Sequence, residues 1–165
     1  MVDNERGGPM RRLLPLVLVF LLVLPWACRK SGESKTEGES PTSSVKWMSY
    51  EEALEEAKSG GKPAMILFTR SGCPACAQLE EETLHDPEVV SVLNQSFLPV
   101  KVQAERRGDL LRHFRIFVFP TIWFYVRGDL VGPVIGYSPP DYFKKILRYI
   151  STGAYKTKDF DEFEG

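Results

Sequence analysis

The chain has 165 residues, with 21 basic and 22 acidic side chains and a formal net charge of −1. That length suits one domain with appendages and is enough to bury a proper core. The balanced charge, with no basic block longer than a pair, argues against a nucleic-acid-binding protein.

The first 28 residues stand apart. Arg6, Arg11 and Arg12 precede an uncharged run from Leu13 to Ala27, and Cys28 follows. A basic start, a short apolar stretch and a small residue before a break describe an export signal. The run holds 15 residues, including Pro15 and Pro25, whereas a membrane-spanning helix needs about 20 apolar residues. A cleaved signal or a lipid anchor fits better than a permanent span. Cys28 resembles the lipid-bearing cysteine of a bacterial lipoprotein signal, although Pro25 and Trp26 depart from its usual pattern. Lipidation at Cys28, a simple cleaved signal and an uncleaved anchor all remain open. The expected location is the bacterial cell envelope, outside the cytoplasm and in the periplasm, with membrane tethering through the N-terminus. Residues 29–44 are rich in Ser, Gly, Glu and Lys and hold no aliphatic or aromatic side chain. Such a segment cannot bury enough apolar surface to offset its ordering entropy. It reads as a flexible tether reaching roughly 20–25 Å.

The folded part is expected over residues 45–150. Ser49 with Glu52 forms a capping box, and Tyr50, Ala53, Leu54 and Ala57 share one helical face, which Ser59-Gly60-Gly61 ends. Ala64 to Thr69 is a near-continuous apolar run of strand length, the pattern of a strand covered on both faces. Ser71-Gly72 breaks it, and Cys73-Pro74-Ala75-Cys76 opens the next helix. Asp86-Pro87 reads as N-cap and first residue of a helix through Val89, Val90 and Leu93. Phe97 to Val102 is a second strand, and Gly108 to Phe114 suits a short helix. Thr121 to Val126 is a third strand, which Arg127-Gly128-Asp129 turns into Leu130–Ile135 as a hairpin. Ser138-Pro139-Pro140-Asp141 starts a last helix whose buried face is Phe143, Ile146, Leu147 and Ile150. The early alternation of strand and helix favours parallel pairing, and the late hairpin adds an antiparallel edge. Residues 151–165 form a polar, acidic tail. Its aromatics Tyr155, Phe160 and Phe163 leave two readings open, a loose tail or a docked one.

Chemistry concentrates at Cys73 and Cys76. The first turn of a helix presents unpaired N–H groups and a partial positive charge. A thiolate placed there is stabilised and attacks disulfides near neutral pH. Residues i and i+3 stack on a helix, so Cys76 can reach the sulfur of Cys73. Pro74 suits the first helical position because it gives up no needed donor. Attack by Cys73 on a disulfide, followed by attack of Cys76 on Cys73, is the exchange this spacing allows. Zinc is the main rival. It asks for four ligands, and only His85 and His113, far apart in sequence, are at hand. No metal is expected. A purely structural disulfide is the other rival, weakened because so short a loop constrains the unfolded chain little.

The chain resembles the thioredoxin-like family, and in particular the periplasmic thioredoxin-like proteins that include the C-terminal domain of the disulfide reductase DsbD. The similar features are Ser49-Tyr50-Glu51-Glu52-Ala53-Leu54, Gly61-Lys62-Pro63, the strand ending at the Cys-x-x-Cys, His85-Asp86-Pro87-Glu88-Val89 and Phe119-Pro120-Thr121. The resemblance implies an α/β thioredoxin fold, a central mixed sheet of four to five strands flanked by helices. It also implies that the Phe119–Pro120 bond is cis and lies beside the cysteines, where substrate backbone pairs with residue 119. The residues alone read Pro120 as an ordinary trans proline that starts a strand. Two positions depart from the family pattern. The buried acid six residues before the first cysteine is Leu67 here, and the tryptophan just before that cysteine is Gly72. Glu80 or Glu81 can substitute for the acid, against the plainer reading of both as exposed helix carboxylates.

The expectation is an exported protein thiol–disulfide oxidoreductase. Cys73 and Cys76 are its catalytic pair, with Pro74, Phe119, Pro120 and Thr121 in support. Its partners would be protein thiol or disulfide substrates and a membrane electron donor, with no dissociable cofactor. The resemblance to reducing-pathway domains favours the reductase direction. The alternatives are a disulfide oxidase or isomerase, and a binding or chaperone-like module that uses the surface around Phe119 and Trp123.

Overall fold

The computed structural model describes residues 44–164. The export signal over residues 1–28, Cys28 and, Ser44 apart, the tether over 29–44 lie outside them.

Helix α1 (Tyr50–Lys58) starts where Ser49 Oγ accepts the Glu52 N–H at 3.3 Å and donates to Glu52 Oε2 at 2.7 Å. Strand β1 (Ala64–Thr69) is buried at all six positions. Helix α2 (Pro74–Gln78) runs into a π-helical turn, Leu79–Thr83, and α3 (Pro87–Ser96) follows from its Asp86 N-cap. Strand β2 (Leu98–Gln103), helix α4 (Gly108–His113), strands β3 (Thr121–Val126) and β4 (Asp129–Ile135) and helix α5 (Pro140–Ser151) complete the domain. Phe97 ends α3 instead of starting β2, because its N–H donates to Leu93 O at 3.1 Å and so is lost to the sheet.

The sheet order is β2-β1-β3-β4. β1 runs parallel to β2, and the two later pairings are antiparallel. This is a four-stranded mixed sheet with helices on both faces, the thioredoxin fold. The side-chain period of two explains the unbroken apolar β1. Met65 and Leu67 face one cluster with Val89, Leu93, Phe143 and Leu147. Ile66 and Phe68 face the other, with Ala53, Ala57, Leu110 and Phe114. On α5, Phe143, Ile146, Leu147 and Ile150 are the buried residues. Each such burial contributes about 1.5–3 kcal/mol, an upper bound for a compact unfolded reference.

Two features were not anticipated, and a third was left open. The first is the π turn, where Leu84 N–H donates to Leu79 O at 2.9 Å. The second is a bulge between β3 and β4. Ile122 faces Val134 and Phe124 faces Val131, so Gly132 and Pro133 stand against Trp123 alone. The Gly132–Pro133 bond is cis and Gly132 has φ +126°. A proline on an edge strand is tolerated at such a place, since it owes the ladder no donor. The third is the docked tail. Phe160 packs edge-on against Tyr142 and Tyr149, and Tyr149 Oη donates to Lys158 O at 2.5 Å. Of the two readings of the tail, the described residues take the docked one.

Candidate functional site

The sheet register brings the site together. β1 ends at Thr69 and turns through Gly72 (φ +69°) into Cys73. β3 begins at Thr121, which pairs with Phe68. The residues just before β3 therefore lie beside those just after β1. The Phe119–Pro120 bond is cis, and Phe119 O lies 3.7 Å from Cys73 Sγ. Thr121 Oγ1 donates to Val118 O at 2.7 Å and closes the loop.

Cys73 is the N-cap of α2, and its sulfur accepts the Cys76 N–H at 3.2 Å. Pro74 occupies the first turn, as its fixed φ favours. Cys73 and Cys76 form a disulfide with Cα atoms 5.3 Å apart. Cys76 is 3% exposed and Cys73 only partly buried. One sulfur is thus open to an incoming thiolate and the other is shielded. That asymmetry lets exchange begin at Cys73 and resolve from within.

A cleft of about 500 Å³ opens beside the pair, lined by Arg70, Cys73, Cys76, Glu80, Lys101 and Gln103 among others. Leu67 of β1 is 1% exposed and in register with Lys101 of β2, which lines the cleft. No acid stands at Leu67, but Lys101 Nζ pairs with Glu80 Oε2 at 2.7 Å. Glu80 comes from the π turn, four residues after Cys76. Of the two candidate substitutes, Glu80 is half-buried in the cleft and Glu81 is exposed.

Two further carboxylates hold the surroundings. Glu105 accepts the Ser71 N–H at 2.9 Å, anchoring the turn that leads to Cys73. That hydrogen bond draws the Glu105 carboxyl below its ordinary value. Glu82 accepts the Tyr137 hydroxyl, which pushes the phenol above its ordinary value. Neither Glu105 nor Lys101 stood out in the sequence. The pairing of Lys101 with position 67 is a matter of register, which no local motif carries.

The remaining candidates fall elsewhere. His85 Nδ1 donates to Glu80 O at 2.5 Å, which assigns its tautomer, and so caps the π turn. His113 lies edge-on to Phe114, 5.0 Å between centroids. Trp123 and Phe119 are both partly buried and pack against the second core cluster, Trp123 near Phe114. The exposed apolar residues beside the site are Phe117 (86%) and Val118 (51%).

A disulfide at a helix N-cap, beside a cis-proline loop on a β2-β1-β3-β4 sheet, defines an oxidoreductase-type thioredoxin site. Residues 50–151 match the family model described as a thioredoxin-like domain. The chain belongs to the thioredoxin-like family. It is 39% identical over 77 residues to the thiol:disulfide interchange protein DsbD of Salmonella typhi, covering 45% of this chain and 13% of that protein. It is 32% identical to DsbD of an Escherichia coli strain over 131 residues, 74% of this chain and 23% of that protein. The chain thus spans less than a quarter of either relative. The solution structure of a Thermus thermophilus thioredoxin superposes with a TM-score of 0.61 at 29% identity, over 74% of this chain and 99% of that one.

Proposed function

We propose that this protein is a thiol–disulfide oxidoreductase of the bacterial envelope, acting on protein substrates through Cys73 and Cys76 and favouring reduction. The observation that carries the reading is the disulfide at the N-cap of α2, with Cys73 accessible, Cys76 at 3% exposure and Phe119 O 3.7 Å from Cys73 Sγ. In the dithiol form, the Cys73 thiolate attacks a substrate disulfide and the substrate's other sulfur leaves as a thiolate. Cys76 then loses its proton and attacks the Cys73 sulfur. The substrate's second thiolate leaves, two electrons have passed to the substrate, and the Cys73–Cys76 disulfide re-forms. A donor dithiol returns those electrons, and a membrane protein is the partner this reading asks for.

Glu80 is assigned the proton at Cys76. It shares the cleft with that cysteine, and Lys101 holds its carboxylate in place at 2.7 Å. Phe119 O and the cis Pro120 supply the edge on which substrate backbone lies. The basic and apolar segment before Cys28 supports export, and Cys28 is the lipidation candidate.

Cys76→Ser should trap mixed disulfides between Cys73 and envelope proteins. Binding without any trapped species would favour the binding-module alternative instead. A redox titration assigns direction: a potential near about −270 mV supports reduction, and one near about −120 mV supports oxidation. Cys28→Ala should release the protein from membrane fractions if the lipid anchor is correct.

A further inference from the structure

The loop that carries Phe119 is both apolar and basic. Phe117 is 86% exposed and Val118 51%, and Ile135, in register with Thr121 where β3 begins, is 59% exposed. Large apolar side chains this open, and clustered, mark a contact surface. Arginines lie close by in the chain and at Phe119. Arg115 stands two residues before Phe117, and Arg112 lies in the last turn of α4. The Arg70 guanidinium sits 5.8 Å from the Phe119 ring centroid. From Glu105 to Phe119 there are four arginines and two acids. Asp109 is bound by Arg107 at 3.1 Å, and Arg107 also pairs with Glu51 at 2.9 Å. Glu105 accepts the Ser71 N–H and keeps its charge, which leaves Arg70, Arg106, Arg112 and Arg115 against that one carboxylate. Among the described residues, Arg112 and Arg115 form no ion pair. On the other side of the redox pair, Glu80, Glu81 and Glu82 sit in the π turn, with Lys101 on Glu80. The site is therefore polarised, positive along the cis-proline loop and negative along the far end of the redox helix.

We propose that this rim selects acidic polypeptide segments with an apolar residue beside the reacting cysteine. This rests on the exchange reading above and names its substrate class. The apolar residue would lie on Phe117, Val118 and Ile135. The acidic flank would run toward Arg112 and Arg115, and away from Glu81 and Glu82. Exposed charges of this kind act on encounter rate more than on bound-state affinity, and salt screens them.

The test uses the full chain in its dithiol form. Three short peptides carry leucine next to a cysteine held as a mixed disulfide with 2-mercaptoethanol, and differ only in acidic, neutral or lysine-rich flanks. At about 0.02 M salt the acidic peptide should react about tenfold faster than the basic one, and the ratio should shrink toward one at about 0.5 M. Joint Arg112→Glu and Arg115→Glu substitution should abolish or invert the ratio, which is internal to each preparation and insensitive to how much of it folds. Phe117→Ala should slow all three peptides alike. Equal rates for acidic and basic peptides at low salt, or a ratio untouched by charge reversal, overturns the proposal. If even the neutral peptide fails to react, the exchange reading itself is what falls.

Discussion

Replacing Glu80 with Gln separates a proton-transfer role from a merely structural one. The Lys101–Glu80 contact is 2.7 Å long, with side chains 24% and 34% exposed. An ion pair that wet contributes at most about 1 kcal/mol to folding, so Glu80→Gln should barely move the unfolding midpoint. A carboxylate that accepts the Cys76 proton acts differently. General-base assistance is worth about 10²–10⁴ in rate, and the low end applies because water reaches this cleft and can partly replace the carboxylate. The step to measure is resolution of a preformed Cys73 mixed disulfide, followed by stopped flow or acid quench across pH. The variant should resolve about 10²-fold more slowly near neutral pH, and its rate should rise more steeply toward alkaline pH, where Cys76 ionises unaided. Formation of the mixed disulfide at Cys73 should change much less. A resolving rate and pH profile equal to those of the parent chain would refute the assignment.

Thr83 is fully buried and donates to Ser138 O at 2.6 Å. Thr83→Val leaves that carbonyl without its partner and should cost about 1–3 kcal/mol in urea unfolding, whereas Thr83→Ser should recover most of the loss. At Gly132 a Cβ would meet Ile122 O at 3.2 Å with φ at +126°, so Gly132→Ala should destabilise by about 1–3 kcal/mol, read from the thermal midpoint. The depressed Glu105 carboxyl means that its bond to Ser71 is complete above the ordinary carboxylate value. The bond is lost only as pH falls through the lower folded-state value. The Ser71 amide shift in an NMR titration should report a midpoint below the ordinary one, and Glu105→Gln should remove that transition.

The elements that could be read from the sequence are those specified by local chemistry. The capping box at Ser49, the Asp86-Pro87 start and the Arg127-Gly128 turn each use a residue whose preference is set by its own backbone. The six-residue run Ala64–Thr69 reads as a strand covered on both faces because no polar side chain interrupts it before Thr69. The cis Phe119–Pro120 bond came from family resemblance, since the residues alone read an ordinary trans proline at a strand start. What escaped depends on contacts across the sheet. The π turn answers to Thr83 reaching Ser138 and His85 capping Glu80 O. The Gly132–Pro133 bulge answers to Trp123 on the facing strand. The exposure of Phe117 and Val118 carries no local signal: both are apolar, both precede β3, and among the described residues no strand pairs with them.

One short segment explains how the two halves of the site keep their spacing. Gly136 N–H donates to Pro120 O at 2.8 Å, so the connection between β4 and α5 grips the cis-proline loop. One residue on, Tyr137 donates its hydroxyl to Glu82, and the next, Ser138, accepts from Thr83. Both of these partners belong to the π turn that continues the redox helix. Residues 136–138 thus bracket Cys73 from both sides, through bonds with defined direction. Apolar packing alone tolerates sliding, because it depends on area and not on angle. The 3.7 Å approach of Phe119 O to Cys73 Sγ needs a directional constraint of this kind. By this reasoning Thr83→Val should loosen the redox site as well as the fold, and the Cys73–Phe119 geometry should be the first to show it.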